Sequence, residues 1–180
     1  AYGFLRFSLP IAPDAAQESA WLMIALSLVA VIYVGLVAMV QEDMKKLVAY
    51  SSVAHMGFVT LGFFIFNDLG VSGGIVQMIS HGFVAGAMFL SIGVLYDRMH
   101  TRQIADYGGV VHRMPAFTVF AVLMAMANCG LPATSGFVGE ILILIDSFSV
   151  RPIITAFACL GMVLGAAYML NFVNKVFYGK

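Results

Sequence analysis

The stretch SAWLMIALSLVAVIYVGLVAMVQ, residues 19–41, contains no Asp, Glu, Lys or Arg. A helix needs about 20 predominantly apolar residues to cross a hydrocarbon core about 30 Å thick, and this stretch is long enough. Because the run is continuous and does not alternate, it favours a helix over a barrel strand, which would take only about 10 residues. Four further charge-free stretches follow it: residues 47–67, 69–96, 114–139 and 152–174. The sequence therefore predicts five transmembrane helices.

The composition agrees with a membrane protein. Hydrophobic residues make up 62% of the chain and charged residues 10%, with a mean hydropathy of +0.98, whereas a soluble domain carries about 25% charged residues. The formal net charge is zero, so there is no basic field for nucleic acid, and partners are expected in the lipid bilayer. We predict an all-α fold: a polytopic membrane helix bundle with about five full transmembrane helices, the end of a preceding one and one broken helix.

The first residues bear on the domain organisation. The chain opens with AYGFLRF, without an initiator Met or the pattern of a signal peptide, and the segment before Pro10 has the character of the last turns of a helix. We expect residues 1–180 to form a single membrane domain that continues a longer chain.

Basic residues predict the orientation of the helices. Lys and Arg concentrate in alternate loops, and the positive-inside rule places those loops on the cytoplasmic or matrix side. The C-terminus is then inside and the loop at residues 10–19 outside. The basic loops contain Lys45, Lys46, Arg98, Arg102, Arg113, Lys175 and Lys180, and the opposite loops contain Asp14, Glu18, Asp68 and Arg151.

The fourth stretch contains a predicted helix break, GLPATSG at residues 130–136. Pro132 has no backbone N–H to donate, and Gly130 and Gly136 tolerate unusual dihedral angles, so the helix should be interrupted here. Unwound backbone at membrane depth must be satisfied by protein or by a water-filled cavity, and a broken helix beside a carboxylate is a device of transporters. A proline kink satisfied by neighbouring helices is the alternative.

Three titratable residues fall at similar depth in the predicted helices. Counted from the nearest predicted boundary, Glu140 lies about 16 Å, His55 about 15 Å and His81 about 12 Å into the membrane. Ionisable groups at this depth normally face the bundle interior, and His and Glu can exchange protons through intervening waters. The three residues therefore predict a proton relay in the membrane plane. Taken singly, Glu140 also fits an ion-paired structural carboxyl, and each histidine also fits a hydrogen-bonded packing residue.

Polar neighbours are consistent with hydrated faces around the two histidines. Ser51 and Ser52 precede His55 by about one helical turn, and Gln77 precedes His81 by one turn. Other titratable residues fall near boundaries or in loops, and we expect them to serve anchoring or solvation: Asp146, His100 and His112.

The chain carries no sequence motif for a cofactor or a metal. It has no Gly-rich phosphate loop, no CxxC pair or cysteine ladder for an iron–sulfur cluster, and no histidine pair with clear haem spacing. Cys129 and Cys159 lie in apolar runs and are interpreted as packing residues. We predict that the chain itself holds no redox centre and no metal.

Four ordered motifs carry a resemblance that covers essentially the whole chain. They are QEDMKKLVAYSSVAHMGF at residues 41–58, QMISHG at 77–82, LYDRMHTR at 95–102 and GLPATSGFVGE at 130–140. Together they closely resemble the antiporter-like subunit M (chain 4) family of proton-pumping NADH:quinone oxidoreductase, respiratory complex I. One departure is Ala133, where that family usually has Gly, which should make the break slightly stiffer.

The resemblance implies a function and its residues. Glu140 would be the terminal proton-loading glutamate on the broken helix, with His55 and His81 relaying protons toward it, driven by quinone reduction in distant subunits. It also implies a C-terminal-half fragment whose key lysines lie upstream of Ala1. NADH, FMN, iron–sulfur clusters and quinone would belong to other subunits, and the partners would be neighbouring antiporter-like subunits. The location would be the bacterial inner or mitochondrial inner membrane.

Three alternatives stay open at this point. Related modules build cation/proton antiporters and membrane-bound hydrogenases, so the chain would also fit a subunit of either. A purely structural membrane spacer is the third alternative.

Overall fold

The computed structural model describes residues 1–179. Lys180, one of the basic residues used to predict the orientation, lies outside the described residues. Within this range the chain is helical and contains no β-strand, only an isolated bridge between Asp43 and Gln103. The main helices are α1 (Ala20–Met39), α2 (Met44–Phe63), α3 (Asp68–Met99), α4 (Pro115–Asn128), α5 (Ser135–Val150) and α6 (Pro152–Tyr178). Short helical segments precede α1 and join α3 to α4: Phe4–Ser8, Leu9–Ile11, Pro13–Glu18, Ile104–Asp106 and Val110–Arg113.

Helices α1, α3 and α6 are each long and apolar enough to cross a membrane by themselves. Only about a third of each spanning window is buried, from 28% to 33%, so most apolar side chains point outward. An outward apolar surface of this extent requires lipid. The exposed side chains include Trp21, Phe83, Leu90, Phe120 and Ile153. The chain is an integral membrane protein.

Helix α2 lies at the centre of the bundle. Twelve of its 20 residues are buried, and it packs against α1, α3, α5 and α6. It begins earlier than the charge-free stretch because Asp43 caps it: the carboxylate accepts the backbone N–H groups of Lys45 at 2.8 Å and Lys46 at 3.1 Å.

The fourth predicted span is the broken helix. Helix α4 ends at Asn128 and α5 starts at Ser135. Two residues of the connection adopt positive φ, Gly130 at 69° and Ala133 at 78°, which terminates the helical hydrogen bonding. Although the charge-free run stops at Gly139, α5 continues to Val150 with the Glu140 carboxyl buried inside the bundle. The predicted fold, an all-α polytopic bundle with one broken helix, is confirmed.

Glycine lets α2 and α3 approach each other where the chain turns between them. A Cβ added at Gly62 would lie 2.6 Å from the carbonyl oxygen of Gly70, closer than real atoms approach. This contact brings α3 against both α2 and α5, the three helices that carry the site described next.

Candidate functional site

Glu140 is the centre of a buried polar cluster. It lies on α5 just after the break, and only 2% of the residue is exposed. A carboxyl group at this position needs hydrogen-bond partners, because burial of an unpaired polar group costs several kcal/mol.

Two helices supply these partners at one oxygen. His55 Nδ1 of α2 lies 2.9 Å from Glu140 Oε1, and Gln77 Nε2 of α3 donates to the same oxygen at 3.0 Å. The site therefore joins α2, α3 and α5, residues that are 85 and 63 positions apart in the sequence. The sequence placed Gln77 on the helical face of His81, and in the structure its side chain contacts Glu140.

The second histidine lies beside the first. The ring centroids of His55 and His81 are 5.2 Å apart with an interplanar angle of 39°. His55 Nε2 is buried and has no hydrogen-bond partner among residues 1–179. The structure thus brings the three predicted site residues together in the order His81, His55, Glu140.

The helix break shapes the pocket of the carboxyl group. A Cβ added at Gly130 would lie 2.6 Å from Glu140 Oε2, and the φ of 69° is unfavourable for other residues, so glycine is required for two reasons. A Cβ at Gly136 would lie 2.9 Å from the carbonyl oxygen of Ala127, so this glycine lets α5 start directly against the end of α4. Pro132 lies between them in the non-helical connection.

Helices α3 and α5 are held close along their length. A Cβ at Gly139 would lie 2.7 Å from the Gln77 side chain, and Ser80 donates to Ser135 at 2.7 Å. The absence of a side chain at Gly139 therefore gives Gln77 the space in which its amide reaches Glu140.

A second polar contact lies one turn from His55, toward the basic end of the bundle. Asn128, the last residue of α4, donates its side-chain amide to Ser51 at 3.4 Å, and both residues are buried. Asn128 Oδ1 has no partner within the described chain. The sequence analysis identified Ser51 but missed Asn128, although an amide side chain two residues before the GLPATSG break could have indicated it.

Asp146 differs from its prediction. The sequence predicted that Asp146 lies near the membrane boundary and serves anchoring or solvation. In the structure, only 5% of Asp146 is exposed. Its Oδ2 accepts the backbone N–H of Gly70 at 2.9 Å, and its Oδ1 accepts the side-chain amide of Asn67 at 3.1 Å. Asp146 of α5 thus caps the first turn of α3, where the helix dipole favours a negative charge. His100 and His112, by contrast, lie in the predicted connections at the basic end.

No metal site accompanies the cluster. Among residues 1–179, no group of three or more His, Cys, Asp and Glu side chains could hold a metal ion. The polar groups of the site suit proton binding and transfer, since a carboxyl and two imidazoles change protonation without a cofactor.

Apolar helices with outward-facing side chains define an integral membrane protein, and ionisable groups buried beside an interrupted helix are an arrangement that recurs in membrane transporters. The chain belongs to the family described as NADH:quinone oxidoreductase/Mrp antiporter, TM, which matches residues 1–174.

Individual relatives agree with this assignment. The chain is 56% identical over 179 residues to NADH-quinone oxidoreductase subunit M of Rhodobacter capsulatus, covering 99% of this chain and 35% of that protein. It is similar to a chain of respiratory complex I from Thermus thermophilus with bound NADH, with a TM-score of 0.96 and 34% identity over 99% of this chain and 38% of that chain. A chain of the Mrp complex from Dietzia sp. DQ12-45-1b matches with a TM-score of 0.87 and 25% identity over 93% of this chain and 32% of that chain.

The predicted resemblance to the subunit M (chain 4) family is confirmed by these matches. The chain spans about a third of the length of the curated relatives it matches.

Proposed function

We propose that the chain is part of a proton-translocating membrane subunit of an NADH:quinone oxidoreductase, and that Glu140, His55 and His81 carry protons within the membrane plane. The observation that carries the proposal is the 2.9 Å contact between His55 and Glu140, with His81 beside it in the buried centre of the bundle. A merely structural carboxyl would not require a second imidazole, whose ring centroid lies 5.2 Å from that of His55.

The contact suggests how a proton is passed. Imidazole can take a proton on one ring nitrogen and release another from the opposite nitrogen. His55 Nε2, which lacks a partner within residues 1–179, would accept a proton from His81 or an intervening water, and Nδ1 would donate its proton to Glu140 Oε1. The Gln77 amide, donating to the same oxygen, would hold the carboxylate in place while the proton is absent.

The wider setting follows from the relatives and is part of the proposal. Residues 1–180 would form one membrane domain within a longer subunit, with neighbouring antiporter-like subunits and lipid as partners. Quinone reduction in other subunits, which would carry NADH, FMN and iron–sulfur clusters, would drive the relay electrostatically, since a charge change at one site shifts proton affinity at the next. The basic loops and the C-terminus would face the cytoplasm or the matrix.

The test uses inverted membrane vesicles that contain the native assembly with Glu140→Gln, in which NADH-driven proton uptake and quinone reduction are followed together. The matched control is Asp146→Asn, which changes a buried carboxyl on the same helix to an amide but lies outside the relay. We expect Glu140→Gln to lower proton uptake at least tenfold while the assembly stays intact, and the control to retain most of it. Full uptake per quinone reduced in Glu140→Gln would overturn the proposal and favour a structural spacer.

A cation/proton antiporter subunit is the second candidate, because an Mrp complex chain has the same fold at 25% identity. The same vesicles separate the two functions. Sodium-driven proton exchange without NADH would favour the antiporter, whereas uptake that depends on NADH and is absent with sodium alone would favour the oxidoreductase.

A further inference from the structure

A groove of about 610 Å³ opens on the surface of the bundle at its Lys- and Arg-rich end. It lies apart from the buried polar cluster, near the last turns of α3. Its lining is formed by Phe89, Ile92, Gly93 and Tyr96 of α3, Lys45 at the start of α2, and Arg102 in the loop after α3.

The floor of the groove is apolar and runs along α3. From Phe89 to Tyr96 it extends about 10 Å along the helix axis, from membrane depth toward the predicted interface. A Cβ added at Gly93 would meet no atom within 4 Å, so the middle of the floor is open space. Tyr96 is 42% exposed at the end of the floor, where an aromatic ring with a polar tip suits the boundary between lipid and water. The floor therefore matches a hydrocarbon chain lying parallel to α3.

The rim of the groove carries two cations, Lys45 and Arg102. The Arg102 carbonyl accepts the backbone N–H of Met44 at 3.0 Å, which fixes the loop against the start of α2. The guanidinium of Arg102 lies 6.0 Å from the centre of the Tyr96 ring. Its Nε lies 3.6 Å from Asp43 Oδ2, an ion pair beyond hydrogen-bond distance, so the guanidinium fork keeps its donors for a phosphate.

Lys45 supplies a charge that no acidic side chain within residues 1–179 pairs with. It is exposed and makes no ion pair within residues 1–179, while Asp43 is shared between Arg102 and the backbone N–H groups at the start of α2. The single carboxylate of Asp43 therefore cannot balance the charges of both Lys45 and Arg102, and the rim keeps a net positive charge. Cations placed directly above an apolar groove complement a molecule with an anionic head and a hydrocarbon tail.

We propose that this groove binds one anionic phospholipid, with its phosphate between Lys45 and Arg102 and an acyl chain on the floor at Gly93. A free phosphate would leave the apolar floor without a partner, and a zwitterionic lipid would bring its own cation against Lys45. The site is independent of the proton relay, because no residue of the relay lines the groove.

The experiment places the purified native assembly in nanodiscs with a phosphatidylglycerol that carries a photoactivatable group in its acyl chain. Cross-linked peptides are then mapped by mass spectrometry, and phosphatidylcholine with the same group serves as the lipid control. We expect labelling of the segment at residues 89–96 by phosphatidylglycerol. We expect it to fall about fivefold for each cation removed, in Lys45→Gln and in the double variant with Arg102→Gln.

A matched variant separates a built site from general surface charge. Lys46→Gln removes an adjacent exposed cation that does not line the groove. It should leave the labelling unchanged, whereas Gly93→Leu should abolish it with both cations in place. Should Gly93→Leu fail to assemble, Lys45→Gln against Lys46→Gln decides the question alone. Equal labelling by phosphatidylcholine, or an equal loss in Lys46→Gln and Lys45→Gln, would overturn the proposal.

Discussion

His55 Nδ1 and Glu140 Oε1 lie 2.9 Å apart in the interior of the bundle, and their side chains are only 8% and 2% exposed. Each of these buried ionisable groups depends on the other as its hydrogen-bonding partner. Removing one of them leaves the other without its partner, which costs roughly 3–5 kcal/mol for buried ion pairs.

The first prediction follows from this pair. His55→Ala should lower the free energy of unfolding by about 3–5 kcal/mol, because it strands the Glu140 carboxyl in an apolar surrounding. Adding Glu140→Gln should recover part of the loss, since a neutral amide tolerates burial better and still accepts from Gln77. Denaturant unfolding of the four members of this double-mutant cycle measures the coupling. Strictly additive effects would show that the two residues do not depend on each other.

The helix break yields a second prediction, in which two neighbouring substitutions have opposite signs. Ala133 adopts a φ of 78°, a conformation that costs a residue with a Cβ about 1 kcal/mol, so Ala133→Gly should raise the stability by up to that amount. Gly130→Ala should do the reverse and also displace the carboxyl, because the new Cβ would lie 2.6 Å from Glu140 Oε2.

Thermal unfolding and NADH-driven proton uptake of both variants test this pair of predictions. Ala133→Gly should keep full uptake with a higher melting temperature, and Gly130→Ala should lose uptake together with stability. A lower melting temperature in Ala133→Gly would mean that the flexibility gained by the unfolded chain outweighs the relief of backbone strain.

The third prediction concerns the space that Gly139 leaves for Gln77. Gly139→Ala places a Cβ 2.7 Å from the Gln77 side chain, so the amide should be pushed away from Glu140. Proton uptake should fall severalfold, and Gln77→Ala should produce a similar loss because the same hydrogen bond disappears. The double variant should regain neither the uptake nor the stability lost in Gly139→Ala, because the Cβ and Cα of residue 77, at 2.7 and 2.8 Å from the added Cβ, remain in place. Recovery of uptake in the double variant would show that the amide is dispensable.

Much of the fold was predictable because it depends on single stretches of sequence. The charge-free runs predicted the helices, and Gly130 with Pro132 predicted the interruption between α4 and α5. The burial of His55 and Glu140 was also predictable, since ionisable groups far from both ends of an apolar helix normally face the bundle interior.

The contacts between helices were not predictable in the same way. The spacing put Gln77 on the face of His81 but did not indicate its contact with Glu140, which forms because the glycine at 139 lets α3 and α5 approach closely. Asp146 was assigned to the boundary by its distance along α5, yet the turn before α3 folds over it and buries it. Such outcomes depend on the register between helices, which a single sequence does not encode as a periodic pattern.

Asp146 leads to the last prediction. Its carboxylate lies on α5 but caps α3 through the N–H of Gly70, and Gly70 has room for it only because it lacks a side chain: a Cβ there would lie 2.5 Å from Asp146 Oδ2. Asp146→Ala should therefore lower the stability by about 1–3 kcal/mol, since a buried backbone donor loses its acceptor. Asp146→Asn, which keeps an acceptor oxygen, should cost much less.

Gly70→Ala should expel the carboxylate and cost at least as much as Asp146→Ala, because the buried acidic group then loses its donor as well. Combining the two substitutions should cost less than the sum of the single effects, since the clash with the carboxylate disappears, but more than Asp146→Ala alone, since the added Cβ would still lie 2.7 Å from the carbonyl oxygen of Gly62. Hydrogen exchange at the N–H of Gly70 reports on the cap directly, and it should accelerate in Asp146→Ala but not in Asp146→Asn. Unchanged exchange in Asp146→Ala would mean that the first turn of α3 is held by its packing against Gly62 rather than by the carboxylate.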